Sequence, residues 1–323
     1  MSLEKAKQVK EKYAAQLSQM SGVVGVAVSN GSIQVRVRTQ EEARKIPSTI
    51  EGVPVKVLVG EIRLFGPQTG RVRPVPGGVS VGLDNQPMAG TLTCRVKDNK
   101  TGKVYGLSNA HVFGTRYGLY PGLVGQTVVQ PGGIDGGHDP QDVIGTVLKG
   151  HPVLPPPSPN MIDAALMTPT ARDTLTATVQ EIGRITLPVD PTLHLHVRKC
   201  GRTTGYTFGE VVAINSSVQL RDRSGNLLAF FVDCFEVRCI PRNIEFSAPG
   251  DSGSLIVKDE SNEPVGLLFA GGEDNEGPVT IGCKATNVAQ LLGVSFLEPY
   301  TTFESGFLPA AAASLLAGAF FLR

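Results

Sequence analysis

Three polar residues in this chain have the types and settings that serine-based acyl transfer requires. Ser252 lies in the glycine-flanked segment Gly250–Ser254, where a tight turn can offer two backbone N–H groups to a developing negative charge. His111 ends a short stretch of apolar and small residues, and Asp163 stands among apolar neighbours. These residues supply candidates for a nucleophile, a base and a group that orients the base.

The chemistry explains why all three residue types are needed together. A serine hydroxyl is a poor nucleophile near neutral pH, so it needs a base within hydrogen-bond distance. Histidine can take that proton and return it to a leaving amine, because its ordinary pKa is about 6.5. A desolvated aspartate can hold the histidine in the correct tautomer, and the apolar neighbours of Asp163 suit that task.

The composition favours many short strands joined by turns. The chain has 323 residues with 38 glycines and 23 prolines, only 6% aromatic residues and no tryptophan. Its formal net charge is +1 and it has no run of Lys or Arg, which argues against a nucleic-acid-binding role.

The cysteines indicate a reducing compartment. There are five of them, an odd number at irregular spacing, which argues against a disulfide framework and favours buried free thiols. The first residues lack an apolar signal region, so we expect a cytoplasmic location.

The first 66 residues predict a small α-β-β-α-β module. Apolar residues recur at helical spacing near the start, and Asn30-Gly31 between two alternating segments is typical of a hairpin turn. Thr39 and Glu42 have the spacing of a capping box, which predicts a short second helix. No pattern here indicates chemistry, so a docking, oligomerisation or stabilising role stays open. Residues 67–78 are rich in turn formers and are predicted to be a linker.

From residue 79 to about residue 297, short strand-like segments alternate with turns, which is typical of β-barrels or a β-sandwich. A helix from Asn287 to about Leu292 is expected to close this domain. The tail, residues 298–323, contains the uncharged stretch 306–322, which is at the short limit for a membrane span and is interrupted by Pro309. Packing against this chain or a neighbouring subunit is favoured over a mobile tail or membrane attachment.

Three motifs together resemble the catalytic motifs of chymotrypsin-like (trypsin-fold) serine proteases. They are Ser-Asn-Ala-His at 108–111, Asp-Ala-Ala-Leu at 163–166 and Gly-Asp-Ser-Gly-Ser at 250–254. A wider set of segments is similar to bacterial trypsin-like peptidases related to the plant NARROW LEAF-type proteases; it comprises Arg73–Ser80, Gly106–Val112, Gln130–Gly132, Gly201–Gly205 and Phe246–Ser252. The resemblance implies a mainly β fold, a chymotrypsin-like double six-stranded β-barrel with barrels at about 79–185 and 186–297.

The resemblance also implies roles for residues around this site. The N–H groups of Gly250 and Ser252 would form an oxyanion hole, in which the loss of one donor typically costs a factor of about 10²–10³ in kcat. Phe246 would stand at the base of the primary specificity pocket in place of an acid, so a small or apolar preference is expected rather than Arg or Lys. An extended substrate would pair with the strand residues Phe269, Ala270 and Gly271.

One departure from the family concerns activation. In its secreted members, a new N-terminus made by cleavage pairs with the aspartate that precedes the serine. Here Val79 lies inside a continuous chain, so Asp251 must find another partner. We therefore hypothesise that this protein does not require zymogen cleavage.

Other polar clusters do not indicate a metal or a cofactor. His194 and His196 alternate on a predicted strand without a third ligand, and the loop Ile134–Pro140 lacks the oxygen pattern of a calcium site. We expect it to be a surface loop near the cleft. Gly201–Gly205 is too short for a phosphate-binding loop and is expected to form a turn near the specificity pocket.

The predicted function is a serine endopeptidase that acts through an acyl-enzyme, with Ser252 as nucleophile, His111 as general acid–base and Asp163 as orienting group. Two alternatives stay open: a catalytically silent peptide-binding module on a protease fold, and a protease that processes itself or one partner and is restrained by its tail. The expected partner is a protein or peptide substrate rather than nucleic acid or a membrane. A homo-oligomer could form through the N-terminal module or the C-terminal tail.

Overall fold

A computed structural model of the chain describes residues 2–60, 67–114, 124–221, 224–241 and 244–296. The chain divides into two compact units, Met1–Phe65 and Gly66–Arg323. The tail 298–323, for which packing, mobility and membrane attachment were the alternatives, lies outside the described residues. Within the described ranges, no helix combines the length and the apolar character that crossing a membrane requires.

The first unit is a four-stranded sheet with one long helix. Its elements are α1 Leu3–Ser18, β1 Val23–Ser29, β2 Ser32–Val37, α2 Gln40–Ala43, β3 Thr49–Ile50 and β4 Val53–Val59. The sheet has the order β1-β2-β4-β3, with β2 and β4 parallel. Asn30 and Gly31 both have positive φ angles, 48° and 71°, as the predicted tight hairpin requires. The capping box of Thr39 and Glu42 is also present at the start of α2.

The regular elements of the second unit are almost all strands. Its first half contains β5 Val75–Gly77, β6 Ser80–Leu83, β7 Gly90–Thr91, β8 Cys94–Asp98, β9 Val104–Ser108, β10 Thr127–Val129, a 3-10 turn Gly133–Asp135, β11 Val143–Gly150, β12 Pro159–Asn160, β13 Ala165–Pro169, β14 Leu175–Val179 and β15 Gly183–Arg184. Its second half contains β16 His196–Gly201, β17 Gly205–Arg221, β18 Leu227–Cys239, β19 Leu255–Lys258, β20 Pro264–Asp274, β21 Gly277–Lys284, α3 Ala285–Leu292 and β22 Val294–Ser295.

These strands form two large sheets and one small one. The first large sheet has the order β22-β8-β9-β13-β11-β10-β6-β7, and the small sheet has the order β15-β14-β5. In the second large sheet, strands β16 to β21 form a closed ring, because β18 pairs with both β17 and β21. The predicted fold class, a mainly β double barrel preceded by an α/β module, is confirmed.

The first sheet differs from the expected six-stranded barrel. It has eight strands, and in the described part of the chain its end strands β7 and β22 do not pair with each other. Residues Gly90 and Thr91 of β7 contact the turn that precedes β19 of the second sheet. Thr91 N–H donates to the carbonyl of Ser252 at 2.8 Å, so this strand joins the two halves of the unit.

Buried apolar side chains of the second unit form three clusters. One cluster lies within the first sheet around Phe113, and another lies within the second sheet around Phe235. A third contains buried residues of both sheets, including Leu107, Leu166 and Phe231. This shared core fixes the two sheets against each other, so residues at the junction can keep a defined geometry.

The segment predicted as a linker takes part in this fold. Val75–Gly77 forms β5, which runs parallel to β14. Gln68 accepts a hydrogen bond from the N–H of Ser80 at 2.9 Å and donates its own N–H to the carbonyl of Arg202 at 2.7 Å. The segment 67–78 is therefore bound to the second unit, through strand β5 and through the hydrogen bonds of Gln68.

Candidate active site

His111 lies just past the end of β9, in a turn fixed by hydrogen bonds. The buried hydroxyl of Ser108 donates to the carbonyl of Thr91 at 2.7 Å, which anchors the end of the strand. The carbonyl of Asn109 then accepts from the N–H groups of Val112 and Phe113, both at 3.2 Å. The chain therefore turns directly after the strand and leaves the His111 side chain 21% exposed.

Asp163 lies beside His111 and is shielded from water. Its side chain is 0% exposed, and its neighbours Ile162 and Ala164 are fully buried. Asp163 Oδ2 lies 2.6 Å from His111 Nδ1, and Oδ1 accepts the backbone N–H of His111 at 3.2 Å. In proton transfer by an imidazole oriented in this way, the nitrogen that acts on a substrate or a nucleophile is the other one, Nε2.

The ionisation of His111 reflects two opposing effects. Burial lowers its pKa, because a charged imidazole loses hydration. The negative charge of Asp163 and its hydrogen bond raise the pKa by more, so the pKa of His111 lies above its ordinary value. Asp163 thus stabilises the imidazolium that would form during proton transfer.

Ser252 lies in a turn that two neighbouring strands hold from both sides. Its carbonyl accepts from Thr91 N–H at 2.8 Å, and the next N–H, that of Gly253, donates to the carbonyl of Leu268 at 2.8 Å. The buried hydroxyl of Thr93 donates to the carbonyl of Gly253 at 2.6 Å. Ser252 itself is half-buried.

Gly90 shows how closely the segments of His111 and Ser252 approach each other. A Cβ atom at Gly90 would lie 2.3 Å from Val112 Cγ2 and 2.9 Å from the carbonyl oxygen of Ser252. Val112 directly follows His111 in the sequence. Since a side chain at this position would clash with both neighbours, β7 brings the histidine turn and the serine turn close to the same residue.

Two backbone N–H groups at Ser252 and Gly250 are the candidates for binding a developing negative charge. Gly250 has a φ angle of +100°, which glycine adopts readily. Among the described residues, none accepts a hydrogen bond from the N–H of Gly250 or of Ser252. The carbonyl of Gly250, by contrast, accepts from the hydroxyl of Thr91 at 3.1 Å. This arrangement can hold a negatively charged oxygen next to Ser252.

Asp251 has a partner within the chain, which the sequence did not reveal. It is fully buried and lies 3.6 Å from Nζ of Lys199, which is also 0% exposed. Burial lowers the pKa of Lys199, and the charge of Asp251 opposes this shift. Lys199 also donates to Thr204 Oγ1 at 2.5 Å and to the carbonyl of Gly205 at 2.9 Å.

Backbone groups complete the surroundings of Asp251. Its carboxylate accepts the N–H groups of Thr203 at 2.8 Å and Ala248 at 2.9 Å, and the hydroxyl of Thr204 at 2.7 Å. Residues of the segment Gly201–Gly205 therefore bind the carboxylate of Asp251, which directly precedes Ser252. The sequence shows only a lysine next to a turn rich in threonine, and this pattern does not by itself identify Asp251 as its partner.

The residues predicted to bind substrate differ in exposure. The rings of Phe246 and Phe269 are both 2% exposed and belong to the hydrophobic core. Lys199 Nζ lies 5.7 Å from the ring centroid of Phe246. Ala270 is half-buried and Gly271 is exposed, at the point where β20 leaves the core. The two phenylalanines are therefore core residues, and the exposed end of β20 begins after Phe269.

No family model matches the chain, and no curated protein is similar to it. Several solved serine proteases are similar in structure. The Nocardiopsis protease NAPase has 17% identity and a TM-score of 0.47, covering 68% of this chain and 97% of its own. The Cellulomonas bogoriensis chymotrypsin has 20% identity and a TM-score of 0.47, covering 70% and 99%.

A serine protease specific for glutamic acid has 17% identity and a TM-score of 0.49, and covers 68% of this chain and 99% of its own. These similarities give no support to the narrower resemblance to NARROW LEAF-type proteases. At such identities they leave the activity of this chain open.

Proposed function

We propose that this protein is a serine endopeptidase that hydrolyses peptide bonds through an acyl-enzyme. The observation that carries the proposal is the 2.6 Å contact between His111 Nδ1 and the fully buried carboxylate of Asp163. A buried carboxylate of this kind orients an imidazole and stabilises its protonated form, which a base that acts on a serine hydroxyl needs.

In this mechanism, His111 Nε2 takes the proton of Ser252 Oγ as that oxygen attacks the scissile carbonyl carbon. The N–H groups of Gly250 and Ser252 donate to the oxygen that becomes negatively charged. His111 then gives its proton to the leaving amine, and an acyl group stays bound to Ser252. Water attacks this ester in a second step with the same base, which restores the free serine.

The surroundings of Asp251 support activity without cleavage of the chain. The hypothesis from the sequence required another partner for Asp251 in place of a new N-terminus, and Lys199 Nζ lies 3.6 Å from the Asp251 carboxylate. Since this cation is part of the continuous chain, ordering of the Gly250–Ser252 turn needs no processing event. We therefore expect the full-length chain to be active as synthesised.

The substrate class follows from strand β20. A peptide in extended conformation can pair with the exposed end of this strand at Ala270 and Gly271. Backbone pairing of this kind suits any extended protein segment, so the proposed substrate is a protein or peptide.

Labelling with a fluorophosphonate probe tests the proposal, since the probe reacts with an activated serine and not with an ordinary one. The full-length chain should be labelled, whereas Ser252→Ala and His111→Ala should both abolish labelling. Matched controls are Ser261→Ala and His194→Ala. Ser261 is exposed and bonds Glu263, and the His194 side chain is 80% exposed.

Failure of the full-length chain to react would contradict the proposal and favour the silent peptide-binding alternative. Labelling that survives in Ser252→Ala would place the reactive serine elsewhere. Comparing turnover with and without residues 301–323 would then distinguish a general peptidase from one that its tail restrains.

A further inference from the structure

Two polar motifs that the mechanism does not use contact each other in the structure. Arg202, in the turn Gly201–Gly205, donates through Nε and Nη2 to the two carboxylate oxygens of Asp135, both at 2.6 Å. The side chains are 16% and 9% exposed. Asp135 belongs to the 3-10 turn after β10 and also accepts the hydroxyl of Ser80 at 2.5 Å. The pair therefore links the two halves of the second unit in a fixed, bidentate geometry.

The guanidinium of this pair lies against the proposed oxyanion turn. A Cβ atom at Gly250 would lie 2.6 Å from Arg202 Nη1 and 2.5 Å from Thr203 Oγ1. Arg202 Nη1 donates to Thr203 Oγ1 at 3.0 Å, and Thr203 Oγ1 donates in turn to the carbonyl of Pro249 at 2.8 Å. Because Arg202 supplies a proton to this hydroxyl oxygen, the hydroxyl's own hydrogen is left for the carbonyl.

The carbonyl of Pro249 and the N–H of Gly250 belong to one peptide unit. That unit is planar, and in the trans form its C=O and N–H point in opposite directions. A hydrogen bond that fixes the carbonyl of Pro249 therefore also fixes the direction of the Gly250 N–H. The constraint matters here because the φ angle of Gly250 is +100° and a glycine can readily rotate to other conformations.

We propose that Asp135, Arg202 and Thr203 are positioning residues that hold the Pro249–Gly250 peptide with its N–H directed at the substrate oxyanion. This inference rests on the proposed function, since it assigns these residues to the oxyanion hole of that reaction. None of the three touches the reacting atoms. Their effect passes through one peptide unit, so it should change the stabilisation of the transition state more than the binding of substrate.

Thr203→Val in the full-length chain tests the proposal. Valine has nearly the shape of threonine, and the backbone N–H of Thr203 keeps its bond to Asp251. We expect kcat to fall about tenfold, less than the factor of about 10²–10³ for losing an oxyanion donor outright. KM should stay within about twofold, because ground-state binding does not use this N–H. Thr203→Ser, which keeps the hydroxyl, should restore most of the lost kcat.

Two arginine variants complete the experiment. Arg202→Gln removes the charge and should also lower kcat with little change in KM. The matched control is Arg198→Gln, because Arg198 pairs with Asp259 at 2.6 Å, has the same exposed fraction of 16%, and lies on the neighbouring strand β16. It should leave kcat unchanged. Thermal melting of each variant separates loss of folding from loss of positioning.

The possible results distinguish the two proposals. If the native chain does not turn over a peptide substrate, the proposed function itself is contradicted. Native turnover together with an unchanged kcat in Thr203→Val, or with a change in KM alone, would overturn the positioning role. If Thr203→Val does not fold, a folded Arg202→Gln with native kcat would overturn it as well. A fall in kcat in Arg198→Gln equal to that in Arg202→Gln would show a general structural effect and would also contradict the proposal.

Discussion

Two buried aspartates on opposite sides of the candidate site illustrate different uses of the same side chain. Asp163 and Asp251 are both 0% exposed, and each lies next to a proposed catalytic residue. Within the described ranges, both side-chain hydrogen bonds of Asp163 come from His111. Asp251 instead accepts from several backbone N–H groups and a hydroxyl and lies beside the cation of Lys199.

The difference indicates what each charge can do. Around Asp163 the donors are few, so its charge acts mainly on a group that gains and loses a proton, and the pKa of His111 is raised. Around Asp251 the charge is satisfied by donors that do not titrate during the reaction, so it holds backbone in place. One carboxylate thus serves proton transfer, and the other serves the shape of the turn that carries Ser252.

The largest expected effect is that of Asp163→Asn. The amide keeps the shape of the side chain but favours the wrong tautomer of His111, which in triad enzymes lowers kcat by about 10⁴. Steady-state kinetics on a peptide substrate would measure this change. A matched control is Asp259→Asn. Asp259 also pairs with a basic side chain, that of Arg198, but this ion pair is not part of the candidate site.

The pH profile sharpens the same prediction. Catalysis needs neutral His111, so activity should fall as the pH drops through the raised pKa of this residue. The acidic limb of kcat/KM is therefore expected above the ordinary histidine pKa of about 6.5. Asp163→Asn removes the cause of the shift and should move the limb to lower pH. A limb that stays in place would mean that another group controls it.

The second prediction concerns Lys199→Met. Removing one member of a buried ion pair leaves an uncompensated charge, which typically costs about 3–5 kcal/mol of stability. We expect this loss of stability because the Asp251 carboxylate would stay buried without its cation. Fluorophosphonate labelling of Ser252 should fall as well. Urea unfolding monitored by circular dichroism would measure the change in the free energy of unfolding.

The double variant Lys199→Met with Asp251→Asn checks the cause. Since neither charge then stays buried alone, it should be less destabilised than the single variant. Equal destabilisation of the two would argue against the ion pair as the source of the effect.

The smallest expected effect is that of Asn109→Ala. Asn109 Nδ2 donates to the carbonyl of Asp163 at 2.6 Å, so it supports the backbone of the orienting residue. Its Oδ1 is buried, and it has no hydrogen-bond partner among the described residues. Losing one net hydrogen bond costs about 0.5–1.5 kcal/mol, so we expect a modest loss of stability and less than a tenfold change in kcat. A larger loss of kcat would show that the position of Asp163 depends on this amide.

Local patterns in the sequence predicted the parts of the molecule that depend on neighbouring residues. The hairpin at Asn30-Gly31 and the capping box at Thr39 are set within a few residues, and both are present. The helix expected from Asn287 begins slightly earlier, at Ala285, and ends at Leu292 as predicted. His111 and Asp163 could be proposed as partners because each has a local setting that suits its role.

Features that depend on distant contacts could not be predicted in the same way. The partner of Asp251 comes from β16, and no local pattern joins Lys199 to it. Strands β17 and β18 are 17 and 13 residues long, and several register shifts between them interrupt the alternation by which a sequence marks a single long strand. Composition likewise marks residues 67–78 as a linker, although Gln68 bonds both Ser80 and Arg202.

The buried cysteines give the folded state a property that can be used in experiments. All five are free thiols inside the fold, and burial raises the pKa of Cys200 and Cys283 to about 12. Because alkylating reagents attack the thiolate, the native chain should react with iodoacetamide only when it opens. The fraction of chains that carry adducts, measured by mass spectrometry, would then report the fraction of molecules that have opened, so each variant described above contains its own reporter of unfolding.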